Sequence, residues 1–136
     1  FDGGVLGLIR SYIDGLPHYL VQSRFEPGNY GPIQISPTLQ ATFSNLNQEH
    51  GGREPHYSEV FKDYTKETSD YKFNAWLSED GGKFYKKRNR GLVKQVSFDQ
   101  VSLVDNNFKW LSLFQIKELM NYDSIINPHL ARLIFL

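Results

Sequence analysis

Hydrophobic and polar residues alternate along the first half of the chain, which predicts β-strands there. Residues 4–13 and 17–26 are predicted as two strands joined at Asp14-Gly15, a dipeptide suited to the positive φ angles of a tight hairpin turn. The next segment, residues 26–32, contains two prolines and two glycines and is predicted as a loop. The chain is therefore expected to begin with a β-hairpin.

The unbroken alternation of residues 33–44 predicts one long strand with two different faces. The apolar face is Ile33, Ile35, Pro37, Leu39, Ala41 and Phe43, and the polar face is Gln34, Ser36, Thr38, Gln40, Thr42 and Ser44. Because Pro37 lacks an amide hydrogen, the strand must be an edge or be bulged there. The neutral polar face suits a sugar or a base, although a face covered by loops has the same pattern.

The second half of the chain predicts helices and one clear strand. After a loop at residues 45–55, four apolar side chains occur at helical spacing: Tyr57, Val60, Phe61 and Tyr64. Residues 92–98 are predicted as a strand. A capping box (Ser112, Gln115) and a hydrophobic staple (Leu111, Ile116) predict a helix to about Tyr122, and Asn127-Pro128 predicts the start of another. Together these strands and helices predict an α+β fold.

Composition narrows the class of protein. A chain of 136 residues with 40% hydrophobic side chains predicts one globular domain over residues 1–136. Fifteen basic residues balance fifteen acidic ones, which argues against a nucleic-acid or membrane partner. The lack of cysteine excludes thiolate chemistry and favours a cytoplasmic location. Because Phe1 is not a methionine, we expect a piece of a longer protein.

One short segment carries a local positive charge. Five of the eight residues at 83–90 are basic: Lys83, Lys86, Lys87, Arg88 and Arg90. Lys87, Arg88 and Arg90 are candidates to bind a diphosphate, because arginine pairs bidentately with phosphate oxygens. A solvated basic turn is the alternative interpretation.

Several chemistries have no support in the sequence. There is no P-loop, no strand-linked G-x-G-x-x-G and no G-x-S-x-G motif. The four histidines show no i, i+4 pair and no acidic cluster beside them, so no metal site is predicted: His18, His50, His56 and His129.

Five runs of sequence resemble the NDP-hexose 2,3-dehydratases of deoxysugar biosynthesis. They are residues 22–29 (QSRFEPGN), 36–45 (SPTLQATFSN), 50–52 (HGG), 78–90 (SEDGGKFYKKRNR) and 108–127 (FKWLSLFQIKELMNYDSIIN). The resemblance implies a Nudix-like α+β module, usually present as two fused copies in a polypeptide that dimerises. It also implies a nucleotide-linked 4-keto-6-deoxyhexose substrate, with thymidine diphosphate as the expected nucleotide. We therefore expect a homodimer or a second fused module as the partner.

The reaction implied by the resemblance is the loss of water across C2 and C3 of the sugar, which makes the protein a carbon–oxygen lyase. The 4-keto group acidifies the C3 hydrogen, so the site needs a base, donors to the enolate oxygen and an acid, but no redox cofactor. Glu26 is the candidate base, and Tyr57 or His50 the candidate acid. The expected substrate-binding residues are Gln22, Arg24, Asn29, Thr38, Gln40, Thr42, Ser44, Asn45, Lys87, Arg88 and Arg90.

Each catalytic candidate has a structural alternative. Glu26 could cap its loop, Tyr57 could belong to the core, and His50 could order the glycine turn that follows it. Arg24 stands where the family usually has lysine, and Arg132 follows Asn127 one place later than usual. These departures favour the alternative of a non-catalytic module that binds a sugar nucleotide or serves dimerisation.

The sequence predicts that binding and any dehydration are independent of metal. The R-E-x-x-E-E type helix of Nudix diphosphatases has no counterpart after Arg53-Glu54-Pro55, and paired histidines and thiolates are lacking. Excess EDTA should therefore leave both unchanged when they are assayed with and without added magnesium. Loss of activity in EDTA that magnesium restores would indicate a Nudix-type hydrolase instead.

Overall fold

The computed structural model describes residues 3–24, 34–46, 54–67, 70–78, 88–122 and 125–135. Its seven strands form one mixed sheet: β1 (Gly4–Ile13), β2 (Leu16–Arg24), β3 (Gln34–Ser36), β4 (Leu39–Thr42), β5 (Tyr71–Ser78), β6 (Arg88–Gln95) and β7 (Phe108–Ser112). The α-helices are α1 (Phe43–Leu46), α2 (Leu113–Leu119) and α3 (Pro128–Ile134), and 3-10 turns lie at Ser58–Phe61 and Phe98–Gln100. The predicted α+β class is confirmed.

The predicted hairpin forms and then splits. β1 and β2 pair antiparallel from Ile13↔Leu16 to Ile9↔Leu20, around a turn in which Asp14 has φ 52° and Gly15 has φ 78°. Both angles lie in the left-handed region, as a two-residue hairpin turn requires. Beyond Ile9↔Leu20 the two strands diverge and take other partners, so that they form a fork.

β3 and β4 fill this fork as a wedge. β3 pairs antiparallel with the end of β2 (Arg24↔Gln34, Gln22↔Ser36), and β4 pairs antiparallel with the beginning of β1. The chain therefore runs into the fork along β3, turns at Pro37 and Thr38, and runs out along β4. The prediction of one long strand over residues 33–44 is wrong, but the break occurs at Pro37, where an edge or a bulge was expected because proline cannot donate to a continuing ladder.

The turn at Pro37 and Thr38 also separates side chains that the sequence predicts on one face. Ile35 packs against the core cluster beneath α2 and α3, whereas Leu39, Ala41 and Phe43 pack against the cluster on the opposite face of the sheet. Ile35 and Leu39, which belong to the same predicted apolar face, therefore lie on opposite faces of the sheet.

Thr38 sits at the tip of the wedge and ties the fork together. Its side chain is buried, with 1% exposure. Its hydroxyl donates a hydrogen bond to the carbonyl of Leu20 and accepts one from the amide of Ile9 at 2.9 Å. Gln22 adds to this arrangement, because its Nε2 donates to the carbonyls of Pro37 at 3.0 Å and Thr38 at 3.2 Å. The backbone groups exposed by the split are thus satisfied within the fold.

The remaining strands extend the sheet on both sides. β6 runs parallel to β1, β5 pairs antiparallel with β6, and β7 pairs antiparallel with β2. Side chains of α2 and α3 cover one face, and Phe61 and Leu46 cover the other. Gly7 of β1 lies under the Phe61 ring, where an added Cβ would be 2.8 Å from ring carbons, so a glycine allows this contact.

Two helix predictions are confirmed and one is wrong. The Ser112–Gln115 capping box is present at the start of α2, and Pro128 occupies the first turn of α3 behind its cap Asn127. The helix predicted to carry Tyr57 is only the 3-10 turn Ser58–Phe61, and Tyr57 itself has φ 66°. The predicted strand 92–98 begins earlier, at Arg88, and ends at Gln95. Among the described residues, no helix is long and apolar enough to cross a membrane.

We predict that the hydroxyl of Thr38 is worth more to stability than its methyl group. Thr38→Val keeps the shape but leaves the Leu20 carbonyl and the Ile9 amide buried without a partner, which should lower the free energy of unfolding by about 1 to 3 kcal/mol. Thr38→Ser, the matched control, keeps the hydroxyl and loses one methyl, about 0.8 kcal/mol. Urea unfolding measures both variants, and a valine variant as stable as the serine variant would contradict the assignment.

Candidate functional site

Several predicted site residues meet at one end of the sheet, where the fork opens. Gly4 of β1 pairs with Thr42 of β4, and Val5 pairs with Arg90 of β6. β2 ends at Arg24, on the far side of the wedge. We call this the open end of the fork. Residues from distant parts of the chain thus lie at the same edge of one sheet, because the wedge and β6 flank the beginning of β1.

Helix α1 adds the predicted residues Ser44 and Asn45 to the open end. Thr42 Oγ1 accepts a hydrogen bond from the amide of Asn45 at 3.1 Å, which caps the short helix. The amide of Phe43 donates to the carbonyl of Gly3 at 3.4 Å and joins α1 to the start of β1. Asn45 is exposed and Ser44 is half-buried. α1 is therefore held against the same edge as the arginines of β6.

An arginine–tryptophan cluster forms the cationic part of the open end. Trp76 of β5 lies opposite Arg90 of β6 in the register. The guanidinium carbons of Arg88 and Arg90 lie 4.8 and 5.2 Å from the centre of the Trp76 ring, and Phe43 approaches that ring at 5.9 Å. Over the ranges that the structure describes, no acidic side chain forms an ion pair with either arginine. Both cations therefore keep their charge available for an anionic ligand.

Arg90 is also held by hydrogen bonds. Its Nε donates to Asn74 Oδ1 at 2.7 Å, and Asn74 Nδ2 donates to the carbonyl of Tyr64 at 2.7 Å. The Tyr64 ring lies 5.7 Å from the guanidinium carbon. Asn74 and Trp76 are not among the predicted site residues, because their role depends on the register between β5 and β6. The tryptophan itself is the local signal in the sequence.

A partly buried ion pair fixes the segment that carries Tyr64. Lys94 Nζ lies 3.1 and 3.0 Å from the two carboxylate oxygens of Asp63 and donates to the carbonyl of Val60 at 2.7 Å. The Tyr71 hydroxyl donates to Asp63 Oδ1 at 2.5 Å. Burial alone would raise the pKa of Asp63, but the hydrogen bonds from Tyr71 and Lys94 outweigh it and lower that pKa. Burial and the neighbouring carboxylate raise the pKa of Tyr71.

Three predicted binding residues lie inside the wedge and not at its open end. The Thr38 hydroxyl and the Gln22 amide nitrogen are used by backbone groups of the fork. Gln40 pairs opposite Leu6 in β1, and among the described residues no hydrogen-bond partner reaches its buried Oε1. Thr38 is buried and its hydroxyl is engaged by backbone groups, so the structure does not place it on a surface that a ligand can reach. Gln22 shapes the site indirectly, through the turn that it holds.

Tyr57 is placed as a structural residue, and its prediction as the acid is not supported. Its hydroxyl donates to the carbonyl of Ser102 at 2.7 Å and accepts from the amide of Val104 at 3.0 Å. Its ring meets Phe108 of β7 edge-on at 4.8 Å, near the opposite edge of the sheet from the β5–β6 arginines. Burial raises the pKa of Tyr57, which makes it a poorer proton donor.

The other catalytic candidates lie outside the described residues. These are Glu26 and His50, together with the predicted binding residues Asn29 and Lys87. The described residues that flank them, such as Arg24 and Arg88, lie at the open end. No group of three or more histidine, aspartate or glutamate side chains that could hold a metal ion occurs within the described ranges.

Comparison with protein families and curated proteins gives one consistent result. A sequence model of the family described as NDP-hexose 2,3-dehydratase matches residues 1–135. The chain is 40% identical over 124 residues to a dTDP-4-dehydro-6-deoxy-alpha-D-glucopyranose 2,3-dehydratase of Saccharopolyspora spinosa, covering 91% of this chain and 25% of that protein. An enzyme of the same name from Streptomyces violaceoruber is 38% identical over 127 residues, covering 93% and 28%. The chain thus spans about a quarter of the length of these relatives.

Solved structures resemble the fold at low sequence identity. A Nudix hydrolase from M. smegmatis, RenU, matches with a TM-score of 0.57 and 14% identity, over 96% of this chain and 79% of that one. An Ap4A hydrolase of C. elegans matches with a TM-score of 0.51 and 13% identity, over 99% of this chain and 97% of that one. The fold is Nudix-like, as the sequence resemblance implied, and at these identities the likeness concerns the fold alone.

The Asp63–Lys94 pair predicts a specific pH dependence of stability. Because the pKa of Asp63 is lowered on folding, its contribution is complete above the unfolded value, near pH 4, and is lost as pH falls through the lower folded pKa. Asp63→Asn should therefore be less stable than the wild type at pH 7, and the difference should shrink below about pH 4. Urea unfolding between pH 7 and pH 2.5 measures this difference, with the exposed Asp99→Asn as control. A difference that stays constant with pH would contradict the assignment.

Proposed function

Because the chain belongs to the NDP-hexose 2,3-dehydratase family, we propose that it binds a dTDP-linked 4-keto-6-deoxyhexose and takes part in removing water across C2 and C3. The observation that carries this proposal is the family match over residues 1–135, which includes every segment at the open end of the fork. The named relatives are dehydratases of dTDP-4-dehydro-6-deoxyglucose, which supports thymidine diphosphate as the nucleotide. The Nudix-like fold alone supports no reaction, because one fold serves many chemistries.

The binding half of the proposal uses the cations of the open end. Arg88 and Arg90 lack acidic partners among the described residues, and their guanidinium groups suit the diphosphate of the substrate. Lys87 adjoins them in the sequence and adds a third positive charge. Arg24, Ser44 and Asn45 lie at the same edge and are proposed to contact the nucleoside or the sugar. In this proposal the cations bind the diphosphate, and the neutral polar groups contact the rest of the substrate.

The chemical half requires a base and an acid. The base removes the C3 proton, and the electron pair passes to the 4-keto oxygen, which becomes an enolate. The enolate then re-forms the carbonyl, the C3–C2 double bond forms, and the C2–O bond breaks. A proton from the acid makes the leaving hydroxide a water molecule, so the step needs no oxidant. We propose Glu26 as the base and His50 as the acid, since the Tyr57 hydroxyl is bound to backbone groups.

A second candidate function has one observation in its favour. The chain spans about a quarter of the length of its relatives, which leaves room in them for a second module. The present module could then bind the sugar nucleotide, or support a dimer, while another module performs the elimination. In either case we propose that the active unit includes a second module or a second copy of the chain.

We predict that Glu26→Gln abolishes elimination and retains nucleotide binding. The amide preserves the size and hydrogen bonding of the side chain but cannot accept the C3 proton, and a general base contributes typically ~10² to 10⁴ in rate. The measurements are turnover of dTDP-4-keto-6-deoxyglucose, solvent-deuterium exchange at C3, and dTDP affinity by calorimetry. Glu118→Gln on the exposed surface of α2 is the matched control and should behave as the wild type.

The exchange experiment separates the two functions. A wild-type protein that binds the keto sugar but never exchanges its C3 hydrogen cannot be using Glu26 as a base. That outcome would leave the non-catalytic binding module as the better account. Exchange in the wild type that persists unchanged in Glu26→Gln would assign the base to another residue.

A further inference from the structure

We propose that Asn74 and Trp76 are positioning residues that hold Arg90 and Arg88 in place for a diphosphate. The inference rests on the proposed function for the identity of the ligand, but it concerns residues that neither the sequence motifs nor the binding candidates include. It follows from the contacts that these four side chains make across the β5–β6 pair. The chemical class of ligand is a compact polyanion with two phosphoryl groups.

Asn74 fixes the orientation of the Arg90 guanidinium. The Arg90 Nε–H is bonded to Asn74 Oδ1 at 2.7 Å, and Asn74 is itself anchored through Nδ2 to the Tyr64 carbonyl at 2.7 Å. A guanidinium bound through Nε keeps both terminal nitrogens as donors, and these two form the fork that pairs with a phosphate. Within the described ranges, no other hydrogen bond engages the Arg90 side chain. The chain of contacts therefore fixes the plane of the fork and leaves its donors for a ligand.

Trp76 serves both arginines at once. It lies opposite Arg90 in the register, and Arg88 follows on the same face of β6. The guanidinium carbons of Arg88 and Arg90 lie 4.8 and 5.2 Å from the ring centre, so cation–π contact holds both cations near one ring. The two positive charges repel each other. Trp76 is 44% exposed, so the ring that holds both cations is partly open to a ligand. A ligand carrying two negative groups would relieve the repulsion.

An open groove beside Arg90 has the size and charge for such a ligand. It has a volume of about 420 Å³ and is lined by Tyr64, Lys66, Glu67, Lys72, Asn74 and Arg90 among others. Three of these side chains are cationic and one is acidic, so the groove is positive on balance. Tyr64 is held against the sheet through the Asp63–Lys94 pair of its segment. The positioning contacts are thus part of a supported surface and not of a loose loop.

The alternative is that these contacts only stabilise the sheet, and the chain contains a matched case for comparison. Arg10 also lies over a tyrosine ring, Tyr12 at 5.0 Å, and also donates to a side-chain amide, Gln95 at 3.0 Å. It lies towards the other end of β1, away from the open end. If arginine–aromatic contacts in this fold are merely structural, variants of Arg10 and of Arg90 should affect anion binding alike.

The test is calorimetry with inorganic pyrophosphate and with dTDP, using thymidine as the uncharged control. Arg90→Ala should weaken binding of both anions about tenfold. Asn74→Ala and Trp76→Leu should each weaken it several-fold, Trp76→Phe should restore most of the loss, and Arg10→Ala should have no effect. Asn74→Ala should add nothing in an Arg90→Ala background, because a positioning residue acts through its partner. Additive losses in the double variant would overturn the proposal.

Two further measurements keep the outcomes distinct. Thermal unfolding identifies any variant that fails to fold. If Asn74→Ala does not fold, Asn74→Asp is the substitute, because it keeps an acceptor for the Arg90 Nε–H. The new carboxylate neutralises the charge of Arg90 and should weaken pyrophosphate binding at least tenfold. A wild-type protein that binds neither pyrophosphate nor dTDP overturns the inference. Pyrophosphate binding with the expected variant pattern but without turnover of the keto sugar supports the inference and counts against the proposed dehydratase activity.

Discussion

The hydroxyl of Thr38 is the contact on which the arrangement of the sheet depends. It bonds the Leu20 carbonyl and the Ile9 amide, at the last pair before β1 and β2 separate. Without a polar group at that point, the split would leave buried backbone groups without partners, and the two strands would be more stable paired to their ends. One buried side chain therefore makes it possible for a wedge of chain to enter the hairpin. The Gln22 amide supports the same turn from the β2 side.

The wedge in turn determines which residues meet. Because β4 takes the place that β2 would otherwise hold beside the beginning of β1, it brings Thr42 and α1 next to the edge where β6 begins. Arg24 is moved to the far side of β3. The open end is thus wider than the end of a simple hairpin, and its two sides carry different chemistry. The arginine–tryptophan cluster lies on the β5–β6 side, and β2 ends at Arg24 on the other side.

Local signals in the sequence predicted the elements that depend on local physics. The Asp14-Gly15 turn, the Ser112–Gln115 capping box and the Asn127-Pro128 helix start each need only neighbouring residues, and each is confirmed. The fold-back at Pro37 was predicted only as an edge or a bulge, because the exchange of strand partners is decided by residues far away in the sequence. The same limit applies to the site. Arg88 and Arg90 stand out by charge, but Asn74 and Trp76 gain a role only from the register between β5 and β6.

In the proposed function, binding and proton transfer fall to different groups. The guanidinium group carries five N–H donors and no acceptor, so Arg88 and Arg90 could hold a diphosphate but could not remove a proton from carbon. Tyr57, the one described candidate for proton transfer, has its hydroxyl bound to the backbone near Ser102 and lies over β7. Under the proposed function, the groups that perform the elimination would therefore come from elsewhere, either from the segments that contain Glu26 and His50 or from another part of a longer protein. Such a module could keep its proposed ligand site while its catalytic groups change, because the described contacts of Arg88 and Arg90 are with Trp76, Asn74 and Tyr64.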